Sequence, residues 1–170
     1  MKSVAASLNA QFYLHAGSHL GAVVHGQIIP WDDDVDGFID YRKKDELEKI
    51  CEGDGVEVHS SGVRFKCVRW NNAFKIWLHY PGMAKFTEDR YDWYSPFLDL
   101  FFYEIKDGSI WEVSPGGDRL EQHYAVEDYF PTRPYYFAGE GYLLFFIIHS
   151  MIFIFHLKCS LTSLQLLSLL

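Results

Sequence analysis

Residues 17–36 read GSHLGAVVHGQIIPWDDDVD, and the changes of character within this stretch decide what fold the chain can form. Just upstream, Phe12-Tyr13-Leu14 is a short apolar run that ends at Ala16-Gly17-Ser18. From His19 to His25 the sequence suits a short helix, and Gly26 is the residue type that most readily closes one. Pro30 prevents helix from running on into the acidic stretch. Beyond it Val35, Gly37 and Ile39 alternate with Asp34, Asp36 and Phe38, which is the period of a strand and sets Asp34 and Asp36 on one face. The expected local order is strand, turn, helix, strand.

Asp40 to Glu52 is rich in charged helix formers, with Leu47 and Ile50 as its apolar stripe and Gly53 as a stop. Val56 and Val58, then Val63, Phe65 and Cys67, alternate on either side of Ser60-Ser61-Gly62 as the arms of a hairpin do. Phe74 to Tyr80 reads as a further strand. Phe97 to Ile105 and Ile110 to Val113 flank Lys106-Asp107-Gly108-Ser109, where Asp-Gly suits the positive φ angles of a tight turn. Beyond Pro115 the Gly, Pro and aromatic content rises through Gly116-Gly117 and Pro131-Thr132-Arg133-Pro134, so a folded but irregular segment is expected there. No internal repeat and no second domain is visible. The pattern as a whole predicts an α+β fold, with a mixed, mainly antiparallel sheet flanked by the helices at His19 to His25 and Asp40 to Glu52.

With 170 residues, 49% of them hydrophobic and 18% aromatic, the chain can build one substantial core. A formal net charge of −8 repels a nucleic-acid backbone, which argues against a polynucleotide partner. Cys51, Cys67 and Cys159 match no CxxC zinc pattern, although Cys51 and Cys67 could pair in an oxidising compartment. Met1 to Ala10 contains no long apolar core, so no secretory leader is expected. The run YLLFFIIHSMIFIFHL at Tyr142 to Leu157 is nearly all apolar but shorter than the roughly 20 residues of a spanning helix. It is compatible with a tail anchor that touches a membrane, a buried terminal helix or a non-native terminus. The expected division is a folded domain over residues 1–141 and a hydrophobic tail over 142–170.

Four aspartates in five positions, Asp32, Asp33, Asp34 and Asp36, carry the chemistry. Carboxylates two apart on a strand lie about 7 Å from each other on one face, close enough to repel unless a cation sits between them. Acidic runs in general are solvated loops. This one is set between Ile28-Ile29-Pro30-Trp31 and Phe38-Ile39, where unpaired charge is costly. Oxygen ligands of this kind suit hard ions, and Mg²⁺ in particular is held by one or two carboxylates together with substrate phosphates. A calcium loop is a competing pattern, but Lys43 occupies the place of its bidentate glutamate, and Pro30 opposes the helix that should lead into it. Gly17-Ser18, opening a helix ahead of the acids, suggests backbone N–H groups placed to hold phosphate.

The stretch from Gly17 to Asp36 resembles the signature G-T-L-L-G-x-x-R-H-x-x-x-I-P-W-D-x-D-x-D of the LicD and fukutin-related family, without a gap. Tyr94-Ser95-Pro96-Phe97-Leu98-Asp99-Leu100-Phe101 is similar to that family's later strand, which carries an aspartate. The resemblance extends from about Phe12 to Gly141. It implies a nucleotidyltransferase-like fold and transfer of phosphocholine or ribitol phosphate from a CDP-linked donor, CDP-choline or CDP-ribitol, to a glycan acceptor. By position it implies Asp34, Asp36 and Asp99 as the catalytic carboxylates, with Asp34 and Asp36 as the principal ligands of Mg²⁺ or Mn²⁺, Asp99 as the third carboxylate on the ion and Asp32 as an auxiliary ligand or a group just behind the ligands. Gly17, Ser18 and His25 become substrate-binding candidates.

Two departures stand out. Ser18 replaces the family's usual Thr, and Val24 replaces its usual Arg, which removes a cation that His25, Arg42, Lys43 or Lys66 could supply instead. The short C-terminal part also reads as an incomplete copy of the domain, so an inactive relative acting as a binding or scaffold module is the alternative expectation, with a calcium-binding protein behind it. Relatives of this kind imply a membrane location in the Golgi or endoplasmic reticulum.

Overall fold

The computed structural model describes residues 2–57, 63–82 and 93–144. Its described strands are β1 (Tyr13–Leu14), β2 (Asp34–Asp40), β3 (Val56–Glu57), β4 (Arg64–Trp70), β5 (Ala73–His79), β6 (Phe97–Lys106), β7 (Ser109–Val113), β8 (Arg119–Ala125), β9 (Arg133–Phe137) and β10 (Glu140–Leu144). Four described helices accompany them: α1 (Lys2–Ser7), α2 (Ala16–His25), α3 (Lys44–Glu52) and the single turn α4 (Val126–Tyr129). The strands form one sheet in the order β3-β4-β5-β6-β2-β1-β10-β9. Among the described pairings β2 with β6 and β1 with β10 are parallel, and the others are antiparallel. The fold is thus α+β with a mixed, mainly antiparallel sheet.

β6 is long enough to serve two neighbours along one edge. Phe97 to Leu100 pair with β5, and Phe102 to Lys106 pair with β7. The turn into β7 has positive φ at both Asp107 and Gly108, as its Asp-Gly sequence leads one to expect.

Alternation along the strands divides the sheet into two faces. Leu14, Ile39, Leu98, Leu100, Phe102, Phe74 and Ile76 make the larger core, closed by Val4 and Leu8 near α1, Ala22 of α2 and Leu47 of α3. The opposite face carries a smaller aromatic cluster of Tyr13, Phe38, Tyr103, Ile110 and Tyr129. Gly37 lies on the large-core side, where a Cβ would come within 2.2 Å of the Phe12 ring. Its lack of a side chain lets that ring press against β2 between Asp36 and Phe38.

A disulfide joins Cys51 of α3 to Cys67 of β4, with the Cα atoms 4.9 Å apart, and ties the helix to the large-core face. The expected helix from Asp40 begins later. Asp40 ends β2, and its carboxylate accepts the Arg42 N–H at 2.9 Å, shaping a 3-10 turn before α3 starts at Lys44. The turn of the first hairpin, Ser60-Ser61-Gly62, and Val58 lie outside the described residues.

The irregular segment expected beyond Pro115 is instead regular, forming β8, α4, β9 and β10. Its signals mislead for a physical reason. Pro134 sits inside β9, which ends the strand order, and an edge strand tolerates a residue that has no N–H to donate. The N-terminal helix α1 also had no clear signal in the sequence. Tyr142 to Leu144, the start of the apolar run, lie in β10, and its remainder lies outside the described residues. Among the described residues no helix is long and apolar enough to cross a membrane.

Candidate metal centre

The second strand and the start of α2 converge on the acids. Asp32, Asp34 and Asp36 each present a carboxylate oxygen, and these oxygens lie within 4.8 Å of one another. Asp33 is exposed and takes no part, so the four-aspartate run resolves into three acids facing inward and one facing solvent. Oxygens around a Mg²⁺ ion at about 2.1 Å are themselves roughly 3 to 4 Å apart, so this donor set fits a hard divalent ion.

Two features hold the cluster together. The Gly17 N–H donates to Asp36 Oδ2 at 3.1 Å, and the Ser18 hydroxyl oxygen accepts the Asp36 backbone N–H at 2.9 Å. A Cβ on Gly17 would lie 2.8 Å from Asp32 Oδ2 and 3.4 Å from Asp36 Oδ2, so the close approach of α2 to the acids depends on glycine there. Ala16, just before it, adopts φ 40°, a left-handed conformation that costs on the order of 1 kcal/mol or more for a residue with a side chain.

Crowding shows in the proton affinities. Burial, then the charges of Asp36, Asp99, Asp32 and Asp33, push Asp34 up to about 7. Burial also lifts Asp36 to about 6, with Asp99 and Asp32 adding to it and His15 and the Ser18 backbone opposing. Asp32 is raised as well, by burial and by Asp33. A divalent cation would reverse all of these penalties.

Asp99, which the similarity implied as the third carboxylate and metal ligand, is the register partner of Asp36 on the neighbouring parallel strand but is not one of the three clustered acids. Both of its oxygens accept from the Lys75 ammonium, at 2.7 and 2.8 Å. Burial raises its proton affinity, and the lysine works against that rise. His25 stands at the far end of α2, exposed, roughly 12 Å along the helix axis from Gly17. The structure therefore does not bring it to the acids. Val24, in place of the family's arginine, is 56% exposed.

The cations considered as substitutes are committed elsewhere: Arg42 to Asp40, Lys43 to Glu46, and Lys66 to Asp54. The calcium-loop pattern is not realised either, because Asp34–Asp40 is an extended strand paired with β6 along its whole length.

Three residues near the acids went unrecognised in the sequence. Lys75 is one; a lone cation in the apolar strand AFKIWL needs a counter-charge, and Asp99 in FLDLFF is its match. His15 is the second. Its ring stacks on Phe38 with centroids 4.2 Å apart, and its Nε2 lies 3.5 Å from Glu112. A single histidine after an apolar run gives no such signal. The third, Trp31, is 75% exposed at the corner of a turn closed by the Asp32 N–H donating to the Ile29 carbonyl at 2.9 Å.

No curated protein matches the chain. The family model described as LicD/FKTN/FKRP, nucleotidyltransferase domain, matches residues 9–142, which include every element from β1 to β9 and most of β10. Function in that family is of phosphotransferase type and is often metal-dependent, in keeping with a triad that can hold an ion. The match spans most of the sequence and contains the whole acidic cluster, so the chain belongs to the LicD/FKTN/FKRP nucleotidyltransferase family.

Proposed function

We propose that this protein is a metal-dependent phospho-alcohol transferase that moves phosphocholine or ribitol phosphate from a CDP-linked donor to a glycan. The observation that carries this reading is the convergence of Asp32, Asp34 and Asp36 at the N-terminus of α2, within 4.8 Å of one another. A bound Mg²⁺ or Mn²⁺ would neutralise the donor's diphosphate and stabilise the departing CMP.

The chain's own residues would do the rest. Asp34 and Asp36 hold the ion, with Asp32 beside them, and Gly17 and Ser18 keep Asp36 in position through the two hydrogen bonds to it. Trp31, exposed next to Asp32, offers a flat surface on which the cytosine ring can stack. In the transfer, the acceptor hydroxyl oxygen forms a bond to the distal phosphorus as the bond from that phosphorus to the bridging oxygen breaks. CMP departs with the bridging oxygen, and the hydroxyl proton passes to a carboxylate or to water.

The Cys51–Cys67 disulfide supports work in an oxidising compartment, which agrees with the lumen of the Golgi or endoplasmic reticulum. A second reading, an inactive relative that still binds nucleotide, draws on Val24 where the family has a cation. Incubation with CDP-choline or CDP-ribitol, Mn²⁺ and candidate glycans separates the two. CMP release together with the mass gain of the glycan supports the transferase, provided an Asp34→Ala, Asp36→Ala variant gives neither. Metal-dependent nucleotide binding with no transfer to any glycan points to the inactive relative.

A further inference from the structure

Lys75 is buried, at 7% exposure, in the middle of β5. Strand register places Lys75, Asp99 and Asp36 side by side across β5, β6 and β2. With neighbouring strands about 4.8 Å apart, the lysine stands two strand spacings from the acidic triad. Its ammonium is 2.7 and 2.8 Å from the Asp99 oxygens, 4.0 Å from the centre of the Phe97 ring and 4.9 Å from that of Trp93. The two rings shield the pair from water on one side, which strengthens the attraction. Each Asp99 oxygen spends one lone pair on the ammonium, and the positive charge of Lys75 repels a metal ion brought to the other.

We propose that Lys75 is a positioning residue that holds Asp99 in reserve: without nucleotide the ion is held by Asp32, Asp34 and Asp36, and a donor's diphosphate, by drawing the ammonium to itself, frees Asp99 to join them. This rests on the donor reading above. The chemistry of the side chain suits the exchange. An ammonium is a compact charge with three rotatable donors on a flexible stem, so it can pass from a carboxylate to a phosphate oxygen without moving the backbone. Metal and nucleotide then each tighten the binding of the other, because coupling between two sites is reciprocal.

The test is Mn²⁺ affinity, measured by titration calorimetry with and without CDP, for the wild type, Asp99→Asn and Lys75→Met. Without nucleotide, Asp99→Asn should bind Mn²⁺ within about twofold of wild type, since Asp99 is not yet a ligand. With CDP, the wild type should tighten by about tenfold or more beyond either variant, in which only direct contact between ion and diphosphate couples the two. Asp99→Asn leaves Lys75 in place and keeps the test readable if Lys75→Met does not fold. A tenfold loss of Mn²⁺ affinity in nucleotide-free Asp99→Asn overturns the proposal, as does full coupling in folded variants. Wild-type protein that binds Mn²⁺ but not CDP overturns the donor reading and the hand-over together, whereas coupling as strong in the variants as in the wild type overturns the hand-over alone.

Discussion

Gly17 and Asp36, nineteen residues apart, meet in a hydrogen bond of 3.1 Å from the glycine N–H to the aspartate Oδ2. This contact docks the start of α2 onto the acidic face of β2. It also means that the Gly17 N–H, expected from the sequence to face a phosphate, is directed at a carboxylate that can bind a metal.

Gly17→Ala tests that closeness. The added Cβ would lie 2.8 Å from Asp32 Oδ2, so either the helix or Asp32 must shift. Groups that hold metal ligands in place typically contribute 10- to 100-fold in affinity, and a loss of at least about tenfold in Mn²⁺ binding is expected. Calorimetry reads the affinity, and a thermal melt shows whether the domain remains folded.

The crowded carboxylates give the metal-free protein a characteristic response to pH. Asp34 and Asp36 are raised from an ordinary value of 3.8 to about 7 and about 6, so between about pH 4 and 7 the folded state holds protons that the unfolded chain has released. The contribution of these groups to stability therefore falls as pH rises through that window. Asp34→Asn, Asp36→Asn should be more stable than wild type at pH 8, on the order of 1 kcal/mol after allowing for solvent screening, and the two should converge toward pH 4. Denaturant titration at both pH values measures the difference. Added Mn²⁺ should stabilise the wild type at pH 8 and leave the variant unchanged.

The disulfide closes a loop with a sequence separation of 16 between α3 and β4. A loop of this size implies a loss of about 3 kcal/mol on removing the bridge. Cys51→Ser, Cys67→Ser should unfold at correspondingly lower denaturant concentration. Reductant should destabilise the wild type and leave the variant unaffected.

In the proposed transferase, the exposed Trp31 beside Asp32 receives the base. Stacking on an aromatic side chain contributes about 1–3 kcal/mol per base, so Trp31→Ala should weaken CDP binding by roughly tenfold while Trp31→Phe keeps most of it. Mn²⁺ binding in the absence of nucleotide should be the same in all three proteins. Equal CDP affinity in Trp31→Ala and wild type would remove the tryptophan from the site.

Much of this architecture is legible in residues 17–36. Period-two alternation puts Asp34 and Asp36 on one face, and Pro30 separates the helix from the strand. The Asp107-Gly108 turn is equally local, since it depends only on which residues accept positive φ. The remainder is set by contacts between distant segments. Lys75 and Asp99 look like isolated charges in apolar strands until register places them together, and His15 meets Glu112 only when β1 and β7 are brought to the same face. β9 was hidden because a proline inside a strand is tolerated only at a sheet edge, and edge position is a property of the whole sheet.

Whether the acidic triad and a nucleotide share one site is read by calorimetric titration of the folded protein with CDP, CDP-choline and CDP-ribitol, each with and without Mn²⁺, beside Asp34→Ala, Asp36→Ala. Nucleotide binding should require Mn²⁺ and be lost in the variant, with the tighter donor identifying the alcohol. Binding to no nucleotide by folded wild-type protein, or equal binding by the variant, would contradict it.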